Sequence, residues 1–226
     1  MVTWNELFMD EANIKRVTEP EVYVLSGSLE KLFAERPLRF WDLCCGAGRH
    51  TVALARLGHD VYASDSAPNA IGLTRKWLAE MDLRADVQLS DMTVCPWSKV
   101  TFHGVVSWDA LYHNTLDNIR RAVEGVYARL VPGGLFMGTF MSTRADLYGE
   151  GEEIEPDTFI SPQRWGEKTI PHHYFDEAGI RGLFKKWELI SLAEQVITYL
   201  ERGEDFLQNN PFPYTKWGVL ARKSRA

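Results

Sequence analysis

The chain is short of cysteine, of long apolar runs and of positive charge, and each shortage closes off a class of protein. Three cysteines in 226 residues do not make the disulfide framework of a small secreted domain. Cys44 and Cys45 are adjacent. On a strand they point to opposite faces, so a shared zinc does not suit them, and buried thiols in a reducing compartment are the simpler reading. No stretch reaches the ~18 apolar residues of a membrane helix. The opening Met1-Val2-Thr3-Trp4-Asn5-Glu6 lacks the basic and apolar regions of a secretory signal. A cytoplasmic protein without a membrane partner is therefore expected. Twenty-five Lys and Arg against 31 Asp and Glu leave a net charge of -6. That disfavours a broad nucleic-acid surface, which would be basic. No internal repeat or low-complexity linker interrupts the chain.

What is present is an alternation of strands and helices. At 45% hydrophobic residues, the chain suits one α/β domain with a sizeable core. Residues 4–35 carry helical spacing through Leu7, Phe8, Ile14 and Val17, with a break at Pro20 and a second helix over 22–33. Residues 1–37 are expected to form an N-terminal helical cap and residues 38–226 the main domain. A strand runs into the turn at 46–48, and a helix follows that Gly58 stops. A second strand ends at Asp65. Ser66 is placed to cap the next helix, with Pro68 in its first turn. Strands follow at 85–89 and 104–108, then a helix whose core face is Ile119, Val123, Val126 and Leu130. Pro132-Gly133-Gly134 stops that helix before a strand at 135–140. After a helix over 175–184, strand-like runs at 188–200 and 216–222 are expected to pair as an antiparallel hairpin at the sheet edge. Asn210-Pro211-Phe212-Pro213-Tyr214 reads as a turn inside it. The rest implies a parallel sheet with right-handed crossovers.

The most telling stretch is 38–65. A strand, a Gly-x-Gly turn, a short helix, a second strand and an acid 17 residues after Gly48 form the unit that binds an adenosine-bearing cofactor. Two details oppose a dinucleotide. The third glycine of the pyrophosphate fingerprint is replaced by Thr51, and Asp42 at the end of the first strand would repel a pyrophosphate while suiting an ammonium group.

Asp42-Leu43-Cys44-Cys45-Gly46-Ala47-Gly48 resembles motif I of class I S-adenosylmethionine-dependent methyltransferases, with Cys44 in place of the first glycine. The resemblance covers about 38–223. It implies a doubly wound, mostly parallel seven-stranded sheet ending in an antiparallel hairpin. It also implies S-adenosyl-L-methionine as cofactor and methyl transfer to a small-molecule acceptor by in-line displacement. By this resemblance Asp42 holds the methionine ammonium, Cys44, Gly46 and Gly48 form the backbone contact, and Asp65 with Ser66 lies at the ribose. Asp91 and Met92 lie at the adenine, the latter as an apolar face. Leu130-Val131-Pro132-Gly133-Gly134-Leu135 resembles the family's structural turn before strand five. A non-catalytic binding module of the same fold and an NAD-binding oxidoreductase are the alternatives.

The acceptor side offers less. Ser107-Trp108-Asp109-Ala110-Leu111-Tyr112-His113-Asn114 follows the fourth strand at the edge where open α/β sheets bind ligands, without the Asn-Pro-Pro-Tyr of many amine methyltransferases. Trp108 is a candidate cofactor contact through its aromatic face, against plain core packing. His113, His172 and His173 are candidate general bases, with Tyr112 and Trp165 as pocket walls. The connection at 141–174 is long enough to be a lid or binding segment. Its acids, Glu150, Glu152, Glu153, Glu155 and Asp157, read most simply as a solvated face. His172-His173 lacks the spacing of a helical metal pair, and no metal is expected.

Overall fold

The computed structural model describes residues 5, 20–34, 36–160, 170–197 and 214–225. The first strand, β1 (Arg39–Leu43), is apolar on both faces: Phe40, Trp41 and Leu43 are all buried. That is the pattern of a central parallel strand covered on both sides. It pairs in parallel with β2 (Asp60–Asp65) and β4 (Phe102–Ser107), and β3 (Asp86–Leu89) extends the sheet beyond β2. β5 (Leu130–Ser142) runs parallel to β4, and β10 (Tyr214–Arg222) pairs antiparallel with both β5 and β9 (Glu188–Ile197). Seven strands thus follow the order β3-β2-β1-β4-β5-β10-β9, with the antiparallel hairpin at the edge that the sequence implies.

Helices α1 (Pro20–Leu32), α2 (Arg49–Arg56), α3 (Pro68–Glu80), α4 (Leu116–Arg129) and α5 (Glu177–Leu183) cover the sheet. α1 buries Val22, Leu25 and Leu29 against Phe40, Val106, Leu135 and Met137. Each such side chain contributes about 1.5–3 kcal/mol of transfer free energy. The approach is close enough that a Cβ on Gly104 would lie 2.7 Å from Leu29 Cδ1 and 2.6 Å from Phe40 Cε1. α1 is therefore fixed cover on one face. The helical residues expected before it, Leu7, Phe8, Ile14 and Val17, lie outside the described residues. Asn5 is described, and it accepts two 2.7 Å hydrogen bonds from Asn69 at the start of α3.

Three features depart from expectation. The 141–174 connection carries strands: β6 (Glu152–Glu155), β7 (Thr158–Ile160) and β8 (His172–Phe175) form an antiparallel meander. β8 pairs in parallel with β5 at Met141 and Ser142. Since Met141 pairs with Lys216 of β10 on its other side, β8 takes the edge of β5 that β4 leaves at Ser107. These strands are three or four residues long, and only β6 is acidic, so each is too short for period-two apolar alternation to give warning of it. Next, Leu130-Val131-Pro132-Gly133-Gly134 is part of β5 and not a turn before it. The register slips between Phe102 and Gly104 on the partner strand, and Gly133 takes φ 81. Finally, Ser66 does not cap α3. The N-cap is Ala67, without a side-chain bond, and its own N–H is taken by Asp65 Oδ1.

Candidate functional site

The turn after β1 is bare backbone at the carboxyl edge of the sheet. Cys44, Gly46 and Gly48 all take positive φ, at 59, 56 and 89. Cys44 thus adopts the left-handed conformation that glycine occupies at no steric cost. Gly48 has a second constraint: a Cβ there would lie 2.7 Å from Thr74 Cγ2. The Thr74 hydroxyl donates to the Gly46 carbonyl at 2.8 Å, tying the turn to α3.

Two carboxylates hold the turn. Asp65 is 8% exposed. Its Oδ2 accepts from Gly46 N at 2.9 Å and its Oδ1 from Ala67 N at 2.8 Å. Burial raises its pKa, with these amides pulling the other way. A carboxylate offers about four acceptor positions, so acceptor capacity remains for a ligand. The side chain is buried and braces the backbone on both sides.

Asp42 is buried, and its Oδ2 accepts from both Thr51 N at 2.9 Å and Thr51 Oγ1 at 2.6 Å. Thr51 stands where a dinucleotide fold has glycine, and its function here is to lock Asp42 to the first turn of α2. Oδ1 keeps its acceptor capacity: His50 Nδ1 stands 3.9 Å away. Burial pushes the Asp42 carboxyl up to about 6, against the Thr51 hydrogen bonds and the Arg49 charge. A cationic ligand would draw it back to the ionised form.

Beyond β3, Asp91 is exposed, and its Oδ1 accepts from Thr93 N and Oγ1 at 2.8 and 2.6 Å. That is the geometry of a turn acid; Oδ2 has no partner among the described residues. Met92 is buried in the core cluster with Trp41, Trp97 and Leu111. Trp108 packs with Leu135 and Met137 under α1, while Lys216 Nζ sits 5.0 Å from its ring centroid. Core packing and a place at the strand end are therefore both realised in Trp108.

At the end of β4 the structure brings two of the three candidate histidines together. His113 Nδ1 lies 2.9 Å from His172 Nε2, and His172 Nδ1 lies 3.0 Å from the Ile170 carbonyl. The carbonyl can only accept, so His172 Nδ1 donates to it, and which ring donates across the His113–His172 contact depends on the tautomer. Burial, then the neighbouring His172, pushes the His113 pKa well down, so the ring is neutral near pH 7. Tyr112 is buried and packs 4.2 Å from the His113 ring and 6.5 Å from His172. His173 is separate. Its Nδ1 bonds Thr158 Oγ1 at 2.6 Å inside the meander, and its backbone N–H donates to Tyr112 O at 2.8 Å. That placement is structural. Trp165 lies outside the described residues.

The same edge holds residues the sequence reading passed over. Lys216 Nζ is 2.9 Å from Asp109 Oδ1, and Arg49 Nη2 is 3.8 Å from Asp109 Oδ2. Asp109 takes φ 54, the one signal being an acid directly after a buried strand. No group of three or more metal-ligating side chains occurs among the described residues. No helix among them is long and apolar enough to cross a membrane.

With this geometry in place, known proteins can be compared. The sequence pattern of the methyltransferase-domain family matches residues 40–134, from β1 to the start of β5. The chain is 33% identical over 113 residues to a ubiquinone biosynthesis O-methyltransferase of Methylocella silvestris, covering 49% of this chain and 43% of that one. It is 31% identical over 97 residues to an 18S rRNA (guanine-N(7))-methyltransferase of Schizosaccharomyces pombe, covering 42% and 35%. It therefore spans less than half the length of either relative. Among solved structures, an S-adenosylmethionine-dependent methyltransferase from Methanosarcina mazei superposes with a TM-score of 0.73 at 17% identity, over 93% of this chain and 100% of that one. That likeness is one of fold.

Proposed function

We propose that this chain, whose residues 40–134 match the methyltransferase-domain family, is a class I S-adenosylmethionine-dependent methyltransferase that transfers the cofactor's methyl group to a small-molecule acceptor. The observation that carries this reading is the positive-φ turn of Cys44, Gly46 and Gly48, braced by Asp65 and ending at Asp42. The residues fit such a cofactor on the structure's own terms. The turn presents backbone without side-chain bulk. Asp42 keeps Oδ1 for an ammonium, Asp65 keeps acceptor capacity for a ribose diol, and Asp91 keeps Oδ2 for an adenine amine. When bound, the cofactor supplies an activated methyl on a good leaving group, so the protein's task is alignment and exclusion of water.

The chain's own residues divide that task. Asp42, locked by Thr51, positions a charge without moving. The paired rings of His113 and His172 stand at the end of β4, where a proton released by a hydroxyl, thiol or amine nucleophile has to be taken up. Tyr112 and Trp108 wall the same end with apolar surface. A small acceptor is supported by the acidic net charge of -6 and by the quinone-pathway relative; the rRNA-modifying relative sets the competing reading. Calorimetry with S-adenosylhomocysteine tests the cofactor. Micromolar binding or better is expected, about -8 kcal/mol, with NAD failing to bind. Tight NAD binding without S-adenosylhomocysteine binding would sink the reading. A methyl-transfer assay with phenolic, thiol and amine acceptors beside a structured RNA then separates the acceptor classes and the non-catalytic alternative.

A further inference from the structure

The cofactor reading leaves one built cluster without a task. Lys216 on β10 is 2% exposed. A buried lysine is rare unless paired, and here its partner is Asp109, which Arg49 also approaches. Asp109 is fixed from behind: its N–H donates to Thr139 Oγ1 at 2.7 Å, and the same hydroxyl donates back to Oδ1 at 3.2 Å. Lys216 and Arg49 thus both approach the Asp109 carboxylate, and Arg49 also lies in the field of Asp42.

A second observation points the same way. Two buried side chains at this cluster hold polar atoms with no partner among the described residues: Trp108 Nε1 and His50 Nε2. Trp108 is 8% exposed and lies under Lys216 Nζ. His50 is 3% exposed and sits in the field of Arg49, Asp109 and Lys216. An indole N–H can only donate, and a buried donor left unmade is costly. Shared cations and an unanswered donor, gathered at the carboxyl edge of β4, β5 and β10, call for an anionic acceptor atom.

We propose that this cluster anchors an anionic group, a carboxylate or a phosphate, on the methyl acceptor, held by Lys216, Arg49 and the Trp108 indole N–H. The proposal rests on the methyltransferase reading and narrows it to acidic acceptors. The same chemistry has a second source, the carboxylate of the cofactor's own amino-acid tail, so the experiment separates the two.

Benzoate, with benzamide as its neutral counterpart, is titrated into the protein with and without saturating S-adenosylhomocysteine. The binding is followed by calorimetry and by the indole N–H resonance of Trp108. Benzoate is expected to bind at least about tenfold tighter than benzamide, and S-adenosylhomocysteine is expected not to displace it. Lys216→Met should abolish the preference. Asp109→Asn is the sharper variant, since it is isosteric and asparagine tolerates the positive φ. By releasing both cations from their carboxylate it should tighten benzoate by about threefold or more, whereas a cluster that only supports the fold would bind no better. Equal binding of the two probes, no benzoate binding up to about 50 mM, or no gain in Asp109→Asn overturns the proposal. Displacement by S-adenosylhomocysteine reassigns the anion site to the cofactor tail and overturns it as an acceptor site. Absence of S-adenosylhomocysteine binding is a separate result: it removes the methyltransferase reading and leaves the benzoate preference to be judged by itself.

Discussion

On the β1–β2 half of the sheet edge, carboxylates grip backbone: Asp65 takes Gly46 N and Ala67 N, and Asp42 takes Thr51 N. On the β4–β5–β10 half, side chains grip side chains: Lys216 and Arg49 on Asp109, His113 on His172. A backbone donor sits in the same place whatever the sequence, so the first half presents a fixed frame for one ligand. A side-chain network changes with every substitution, so the second half is where one fold can acquire different acceptors. The comparison predicts that damage to the first half appears as lost stability and cofactor affinity, and damage to the second as lost turnover and selectivity.

The largest effect is expected at Gly48. Gly48→Ala sets a Cβ 2.7 Å from Thr74 Cγ2 at φ 89. Backbone strain and overpacking each cost on the order of 1–3 kcal/mol, so a loss of about 4 kcal/mol is expected in chemical denaturation. Adding Thr74→Ser, which keeps the hydroxyl and removes the methyl, should recover part of it. A loss under about 1 kcal/mol would show that the frame is not rigid.

Asp42 gives the next effect, and its sign is set by burial. Its folded pKa of about 6 lies above the ordinary 3.8, so between those values the folded protein holds the extra proton. Its contribution to stability is complete below pH 4 and is lost as pH rises through 6, a gap of about two pH units at about 1.4 kcal/mol each. Asp42→Asn keeps an acceptor for Thr51 and should remove close to 3 kcal/mol of that pH dependence. If its stability curve parallels the parent's from pH 4 to 7, Asp42 is ionised throughout.

The acceptor half is expected to answer in turnover. His113→Ala or His172→Ala should lower it by about 10²-fold, the lower range for a positioned base, with S-adenosylhomocysteine affinity retained. His173→Ala should leave turnover near normal and lower stability, because that ring holds Thr158 in the meander. Normal turnover in both members of the pair would mean that alignment alone carries the chemistry.

The contrast between the halves also explains which of them could be read in advance. The frame is contiguous: Asp42, Gly46, Gly48 and Thr51 span ten residues, and Asp65 follows one helix later, so local spacing encodes it. What spacing could not encode is where the carboxylates turn, and Asp65 proved to brace the turn. The acceptor half is drawn from Arg49, Asp109, His113, Thr139, His172 and Lys216, which meet only once β10 and β8 have taken opposite edges of β5. No periodicity links them. The meander was hidden for a related reason. Its strands are short, the first is a run of acids, and β8 is held by β5, about thirty residues earlier in the chain, so the charge run reads as a solvated face.

The smallest effect tests whether that meander moves. Glu155 Oε1 accepts from Leu116 N at 2.6 Å, at the start of α4, and from Thr158 Oγ1 at 3.0 Å. One acid therefore both satisfies a helix N-terminus and closes the β6–β7 hairpin over it. Losing an acceptor at a helix start costs about 1 kcal/mol, so Glu155→Ala should lower global stability by that amount. Local opening is governed by the free energy of the local contacts. Glu155→Ala should therefore speed hydrogen exchange in β6 and β7 while leaving β1 and β4 unchanged. If the meander closes on the acceptor side, exchange at Thr158 and Phe159 should slow when S-adenosylhomocysteine and an acceptor are both present. The expected effect would be larger in Glu155→Ala than in the parent, because more opening remains to be suppressed. Protection that is already complete without ligand, and unmoved by Glu155→Ala, would make the meander a fixed wall. Selectivity would then rest on the side chains beneath it.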